Sequence, residues 1–139
     1  MDPGGDADRL RRVWDDAMAA PPGAAAGVGI HGGPHPAGTL VADGALAGVI
    51  DLGDMCTGDP ATDLSAARLL LPAGTAAAFS SPYSRADPAT ARRSRGRALP
   101  RYLGLIAIGR AADRGLPGGE PTRRPAGEAA LARLLASSP

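Results

Sequence analysis

Between Leu10 and Met18 the apolar residues Leu10, Val13, Trp14, Ala17 and Met18 recur at i, i+3, i+4, i+7 and i+8. That spacing lines one face of an α-helix. Asp6 or Asp8 can cap its start, Pro21-Pro22 stops it, and Trp14 reads as the anchor of the stripe rather than as a ligand-stacking residue. After a Gly/Ala link at 23–27 the pattern changes. Val28–Ile30 reads as a short strand, and 39–42 and 45–50 as two more joined by Asp43-Gly44, a dipeptide whose residues both tolerate the positive φ of a tight hairpin turn. Helical signals return at Gly58-Asp59-Pro60, where Asp59 can accept free backbone N–H groups and Pro60 fits the first turn. Leu64, Ala67, Arg68, Leu70 and Leu71 follow before Pro72, and 73–79 predicts another short helix. Asp87-Pro88 repeats the start signal for a longer helix with Leu99, Tyr102, Leu103 and Ile106 on one face. Pro100 inside it predicts a kink or a cost of about 3 kcal/mol. Residues 115–127 read as a Gly/Pro/Arg linker, and Glu128 to Ala136 as a last amphipathic turn or two. The expectation is a single, mostly helical α+β domain over 1–139.

Composition makes that domain thin. Apolar residues are 44% of the chain but largely alanine, and aromatics only 3%, so little surface is available to bury at roughly 25 cal/mol per Å². Twenty Gly and 14 Pro add loops. Every basic residue is arginine, the net charge is +1, and lysine, asparagine and glutamine are absent. The densest basic group, Arg92, Arg93, Arg95, Arg97 and Arg101, has one aromatic neighbour, Tyr102, and reads as the solvated side of a helix rather than a nucleic-acid face. Cys56 is the only cysteine, so an internal disulfide is excluded, and it reads as a small buried residue. The start lacks a signal-peptide pattern, and no apolar run approaches the roughly 18 residues of a membrane span. The expected location is cytoplasmic.

The chemistry lies between His31 and Asp63, in HGGPHPAGTLVADGALAGVIDLGDMCTGDPATD. The hairpin separates the loop 31–38 from the turn 51–54, and folding it brings both to one end of a small sheet. Phosphoryl transfer needs such convergence: a carboxylate to orient the acceptor hydroxyl and oxygen ligands for magnesium. His31 and His35 are four apart, but Gly-Gly-Pro between them prevents a shared helical face and no third ligand lies near, so zinc is a poor reading. No G-x-S-x-G elbow supports a serine hydrolase.

The stretch resembles the aminoglycoside phosphotransferase family, a branch of the protein-kinase-like fold, whose pattern is H-G-D-x-H-P-x-N, two strands, D-[FLW]-G-D, then G-D-P-x-x-D-L. His31-Gly32, His35-Pro36, Asp51-Leu52-Gly53-Asp54 and Gly58 to Leu64 match in order and spacing. Trp14 and Asp15, and LLLP at 69–72, also stand where relatives carry similar residues. The resemblance covers about 6–112, with its core at 28–71. It implies the mostly helical C-lobe of a kinase-like fold, with the hairpin at the active-site position. It also implies ATP and Mg as cofactors, and a small-molecule substrate whose hydroxyl accepts the γ-phosphoryl group; family substrates include aminoglycosides, macrolides, sugars and choline-like alcohols.

Two departures bear on activity. Gly33 stands at the position of the catalytic aspartate, and Gly38 at that of the metal-binding asparagine. Asp51 corresponds to the principal magnesium ligand, although an aspartate after a strand also serves as a turn-former. Asp54 either supports the same site or faces solvent. Asp63 either braces the catalytic loop through its backbone or only starts a helix. His31 and His35 are structural members of the loop in this resemblance. Only 30 residues precede His31 and none is lysine, so the nucleotide-binding N-lobe has no expected counterpart. The expectation is therefore a truncated, catalytically impaired member, with a non-catalytic pseudokinase-like module, its partner protein covering the missing lobe, as the alternative.

Overall fold

In the computed structural model, residues 3–23, 27–72, 75, 78–79 and 87–136 are described. Among the described residues, α-helices and two small antiparallel sheets make a mostly helical α+β fold: α1 (Pro3–Met18), β1 (Val28–Ile30), β2 (Thr39–Ala42), β3 (Ala45–Val49), β4 (Cys56–Gly58), α2 (Ala61–Leu70), α3 (Pro88–Asp113) and α4 (Arg123–Ala136). Of the predicted helix at 73–79 only Thr75, Ala78 and Phe79 are described, the last two helical, and part of the 23–27 link falls outside the described residues.

The turn chemistry acts as its residues dictate. Asp43 and Gly44 both take positive φ, 52° and 75°, and close the β2–β3 hairpin, with Thr39 opposite Val49 and Ala42 opposite Ala45. The register shifts between Leu40 and Val41, a bulge that strengthens the local twist. At the start of α2, Asp59 Oδ1 accepts the Ala61 N–H at 3.0 Å. At the start of α3, Asp87 Oδ1 accepts the Thr90 N–H at 2.6 Å. A strand that periodicity did not predict, β4, pairs with β1, Ile30 opposite Cys56 and Val28 opposite Gly58. Three residues ending in glycine carry too little pattern to announce themselves.

The core lies among the helices. Val13 from α1, Leu69 from α2, Ala98, Leu99 and Tyr102 from α3, and Ala130 and Leu134 from α4 form one cluster. Small residues let the helices approach: a Cβ on Gly127 of α4 would stand 2.9 Å from both Ile106 Cγ1 and the Tyr102 carbonyl oxygen of α3. Burial pushes the Tyr102 phenol up to about 12 despite the nearby charges of Arg68, Arg133 and Arg101, and its hydroxyl has no hydrogen-bond partner among the described residues.

Several expectations require correction. Trp14 is 44% exposed and Met18 67% exposed; the stripe facing the core is Leu10, Val13 and Ala17, because α3 packs against the alanine side of α1. That helix starts at Pro3 and runs through Gly4-Gly5, ahead of Asp6. Leu103 is exposed while Leu99, Tyr102 and Ile106 are buried, since α4 covers only that side of α3. Cys56 is exposed, lying on a strand paired along one edge. The last helix begins at Arg123, five residues before Glu128. The 26-residue α3 continues through Pro100. Arg93 is only 9% exposed, so the arginine-rich segment of α3 is not simply a solvated face.

Candidate functional site

The loop 31–38 leaves β1 and must cross to the hairpin, and its backbone is held from two sides. Asp63, in the first turn of α2, accepts the His31 N–H on Oδ2 at 2.7 Å and the Gly32 N–H on Oδ1 at 3.0 Å. From α3, Arg101 donates through Nη2 to the Gly32 carbonyl at 2.7 Å and through Nη1 to the Pro34 carbonyl at 3.1 Å. Gly32 takes φ +85°, and a Cβ there would overlap the Asp54 carbonyl oxygen. This position needs glycine for its backbone.

Gly33 and Gly38 differ from Gly32 in that respect, since neither has positive φ. A Cβ on Gly33 would lie 3.0 Å from Asp54 Oδ2. A Cβ on the buried Gly38 would lie 3.0 Å from the Ile50 carbonyl oxygen and 3.9 Å from Asp51 Cβ. The Ile50 N–H donates to the Gly38 carbonyl at 2.8 Å, which ties the loop's end to the end of β3. The hairpin thus brings loop and turn together, pairing position 33 with Asp54 and position 38 with Asp51.

The histidines serve the loop. The His31 ring contacts the Ile50 carbonyl through Nε2 at 3.1 Å, and its Nδ1 accepts the Gly33 N–H at 3.4 Å. The His35 Nδ1 accepts the Ala37 N–H at 3.1 Å. That leaves Nε2 as the protonated nitrogen, 3.8 Å from Asp51 Oδ2. Asp51 sits in the left-handed region, φ 69°, with its carboxylate largely in solvent.

Mg²⁺ demands an octahedral oxygen shell, built from carboxylates, water and phosphates. Among the described residues, no three His, Cys, Asp or Glu side chains are grouped to hold a metal. Asp51 has the His35 ring as its neighbour, and Gly38 offers no side-chain oxygen. Arg101, the cation nearest the loop, spends two Nη atoms on backbone carbonyls; burial lowers its pKa from the ordinary guanidinium value, yet it stays charged.

Arg101 and Arg93 were not singled out from the sequence as site residues. Arg93, Arg97 and Arg101 recur at i, i+4 and i+8, one stripe of α3, and that spacing was the available signal. Arg93 Nε and Arg97 Nη2 bind Asp59 Oδ2 at 2.8 and 3.2 Å. One helical face therefore holds both the start of α2 and the loop. Burial acts to raise the Asp59 pKa, but the Arg93 hydrogen bond, the Ala61 N–H and the charges of Arg93 and Arg97 outweigh it, leaving the carboxyl below its ordinary 3.8.

A family model described as the phosphotransferase enzyme family matches residues 2–102. No curated protein and no solved structure matches the chain significantly. Among the described residues no helix is long and apolar enough to cross a membrane.

Proposed function

The chain belongs to the phosphotransferase enzyme family, and from that premise we propose that it keeps the scaffold of an ATP-dependent small-molecule kinase while its own turnover is strongly impaired. In this reading the described residues correspond to the lower, helical lobe of a kinase-like fold, His31 to Gly38 to the catalytic loop, and Asp51 to the retained metal-ligand position. The observation that carries it is Gly33. Its backbone does not require glycine, so the missing side chain is a chemical loss at the position where the family places its base. Asp63 and Arg101 meanwhile still grip the loop around it.

Loss of a general base removes a contribution of typically 10²–10⁴-fold in rate, about 3–5 kcal/mol of barrier. Gly38 removes a second oxygen, and no lysine exists to pair with nucleotide phosphates. A coupled assay for ADP release and phosphate transfer to hydroxyl compounds tests this reading. Turnover near background is the expected result. Turnover well above background that disappears in Asp51→Ala overturns it.

A specific observation also favours protein binding by the same scaffold. Leu40, Val41, Leu46, Val49, Leu52 and Met55, all on the hairpin and the following turn, are exposed. Clustered exposed apolar side chains mark interaction surfaces. A discrete, stable oligomer or complex in sedimentation supports that role, and a monodisperse monomer that captures nothing argues against it.

A further inference from the structure

We propose that the cavity between α1, the start of α2 and α3 binds a small aromatic anion, its ring against Trp14 and its negative charge at Arg97. The cavity measures about 810 Å³, inside the roughly 300–1,000 Å³ range of small-molecule sites. The inference stands on the lining of this cavity and requires no phosphotransfer.

The walls are built before any ligand arrives. Arg92 Nε pairs with Asp16 Oδ1 at 2.9 Å, joining α3 to α1. Arg93 donates to the Pro21 carbonyl and to Asp59, joining α3 to the chain after α1 and to the start of α2. These bonds leave Trp14, the single tryptophan of the chain, on the cavity side with 44% of its surface open. Met18, Pro22 and Pro100 supply further apolar wall. An indole face with apolar neighbours accepts a flat ring in stacked or edge-on contact.

Charge decides the sign of the ligand. Among the described residues, the lining carries Arg93, Arg97 and Arg101 against a single acid, Asp59. Asp59 is already engaged by Arg93 and Arg97, Arg93 is buried, and Arg101 is committed to the loop carbonyls. Arg97 has its side chain 46% exposed and one Nη on Asp59. A guanidinium carries five N–H donors, so Arg97 keeps donors for a carboxylate, sulfonate or phosphate, in a charge-assisted pair. A cationic amine in the same space meets an excess of positive charge and an acid already taken. This lining therefore selects against the aminoglycosides and choline-like alcohols found among the family's substrates.

The test uses matched probes on the whole ¹⁵N-labelled chain, reading the single indole N–H resonance of Trp14 with calorimetry in parallel. 4-Hydroxyphenylacetate should shift that resonance saturably, whereas 4-hydroxybenzylamine and acetate should leave it in place at equal concentration. Arg97→Gln should weaken 4-hydroxyphenylacetate about tenfold or more, the scale of one charge-assisted hydrogen bond, with the circular dichroism spectrum unchanged. Trp14→Leu should weaken it in calorimetry while sparing the fold, because Trp14 lies outside the core. Equal or tighter binding of the amine overturns the proposal, as does an unmoved resonance with the anion. So does undiminished binding by Arg97→Gln. None of these results bears on phosphotransfer, which the ADP-release assay reads separately.

Discussion

Asp63 and Arg101 hold the two ends of one residue. The carboxylate takes the Gly32 N–H at 3.0 Å, and the guanidinium donates to the Gly32 carbonyl at 2.7 Å. They come from different helices and meet through a peptide that neither α2 nor α3 contains. The loop conformation is thus imposed from outside, by groups on two helices.

Removing either group should loosen the loop and lower stability. Asp63→Ala and Arg101→Ala are each expected to cost about 1.5–3 kcal/mol in urea unfolding, the range for hydrogen bonds to charged groups. The double variant should cost measurably less than the two together, by about 0.5 kcal/mol or more, because both act on one loop. Strict additivity would show that the two anchors are independent.

Restoring side chains to the loop should be unequal in cost. At Gly33 the obstructing atom is Asp54 Oδ2, the tip of an exposed side chain. Gly33→Asp should therefore cost within about 1 kcal/mol as Asp54 swings aside. At Gly38 the obstruction is the backbone carbonyl of Ile50, a residue whose own N–H is bonded to the Gly38 carbonyl and whose oxygen meets the His31 ring. Gly38→Asn should cost about 1–3 kcal/mol, an overpacking penalty. Thermal unfolding of the two single variants checks the order.

Acid should release α2 from α3. The folded Asp59 pKa lies below its ordinary 3.8, so its contribution is complete above that value and is lost as pH falls through the lower folded value. Asp59→Asn should flatten the acid limb of stability below about pH 4 and lower stability at neutral pH. Following helicity by circular dichroism from neutral to strongly acidic pH checks this. An unchanged acid limb in the variant would show that other carboxyls govern it.

Pro100 should be a net burden on α3. It cannot donate to the Gly96 carbonyl one turn earlier, and its own side chain is exposed. Pro100→Ala is expected to stabilise the chain by about 1–2 kcal/mol, less than the full helix-interior penalty because proline also restricts the unfolded state. Chemical denaturation with unchanged m-value is the measurement.

The elements most legible in the sequence were those fixed by neighbours in the chain. Asp43-Gly44 closes its hairpin, and Asp59-Pro60 and Asp87-Pro88 open their helices, because a turn or cap involves residues only a few positions apart. Strand β4 and the early starts of α1 and α4 were not legible, since Cys56–Gly58, Gly4-Gly5 and Arg123–Gly127 carry poor local propensity. Tertiary contacts and helix continuation override it there.

The order of short signatures between His31 and Asp63, and the glycines at 33 and 38, are properties of the sequence alone. They mark the family and fix that positions 33 and 38 present no side-chain oxygen, because no fold can add one to glycine. Which arginines of α3 face inward, where Trp14 points and what holds Gly32 were decided only in three dimensions. Those depend on how α1, α2 and the loop pack against one helical stripe, a relationship between residues roughly 30 to 80 positions apart that no local pattern of polarity records.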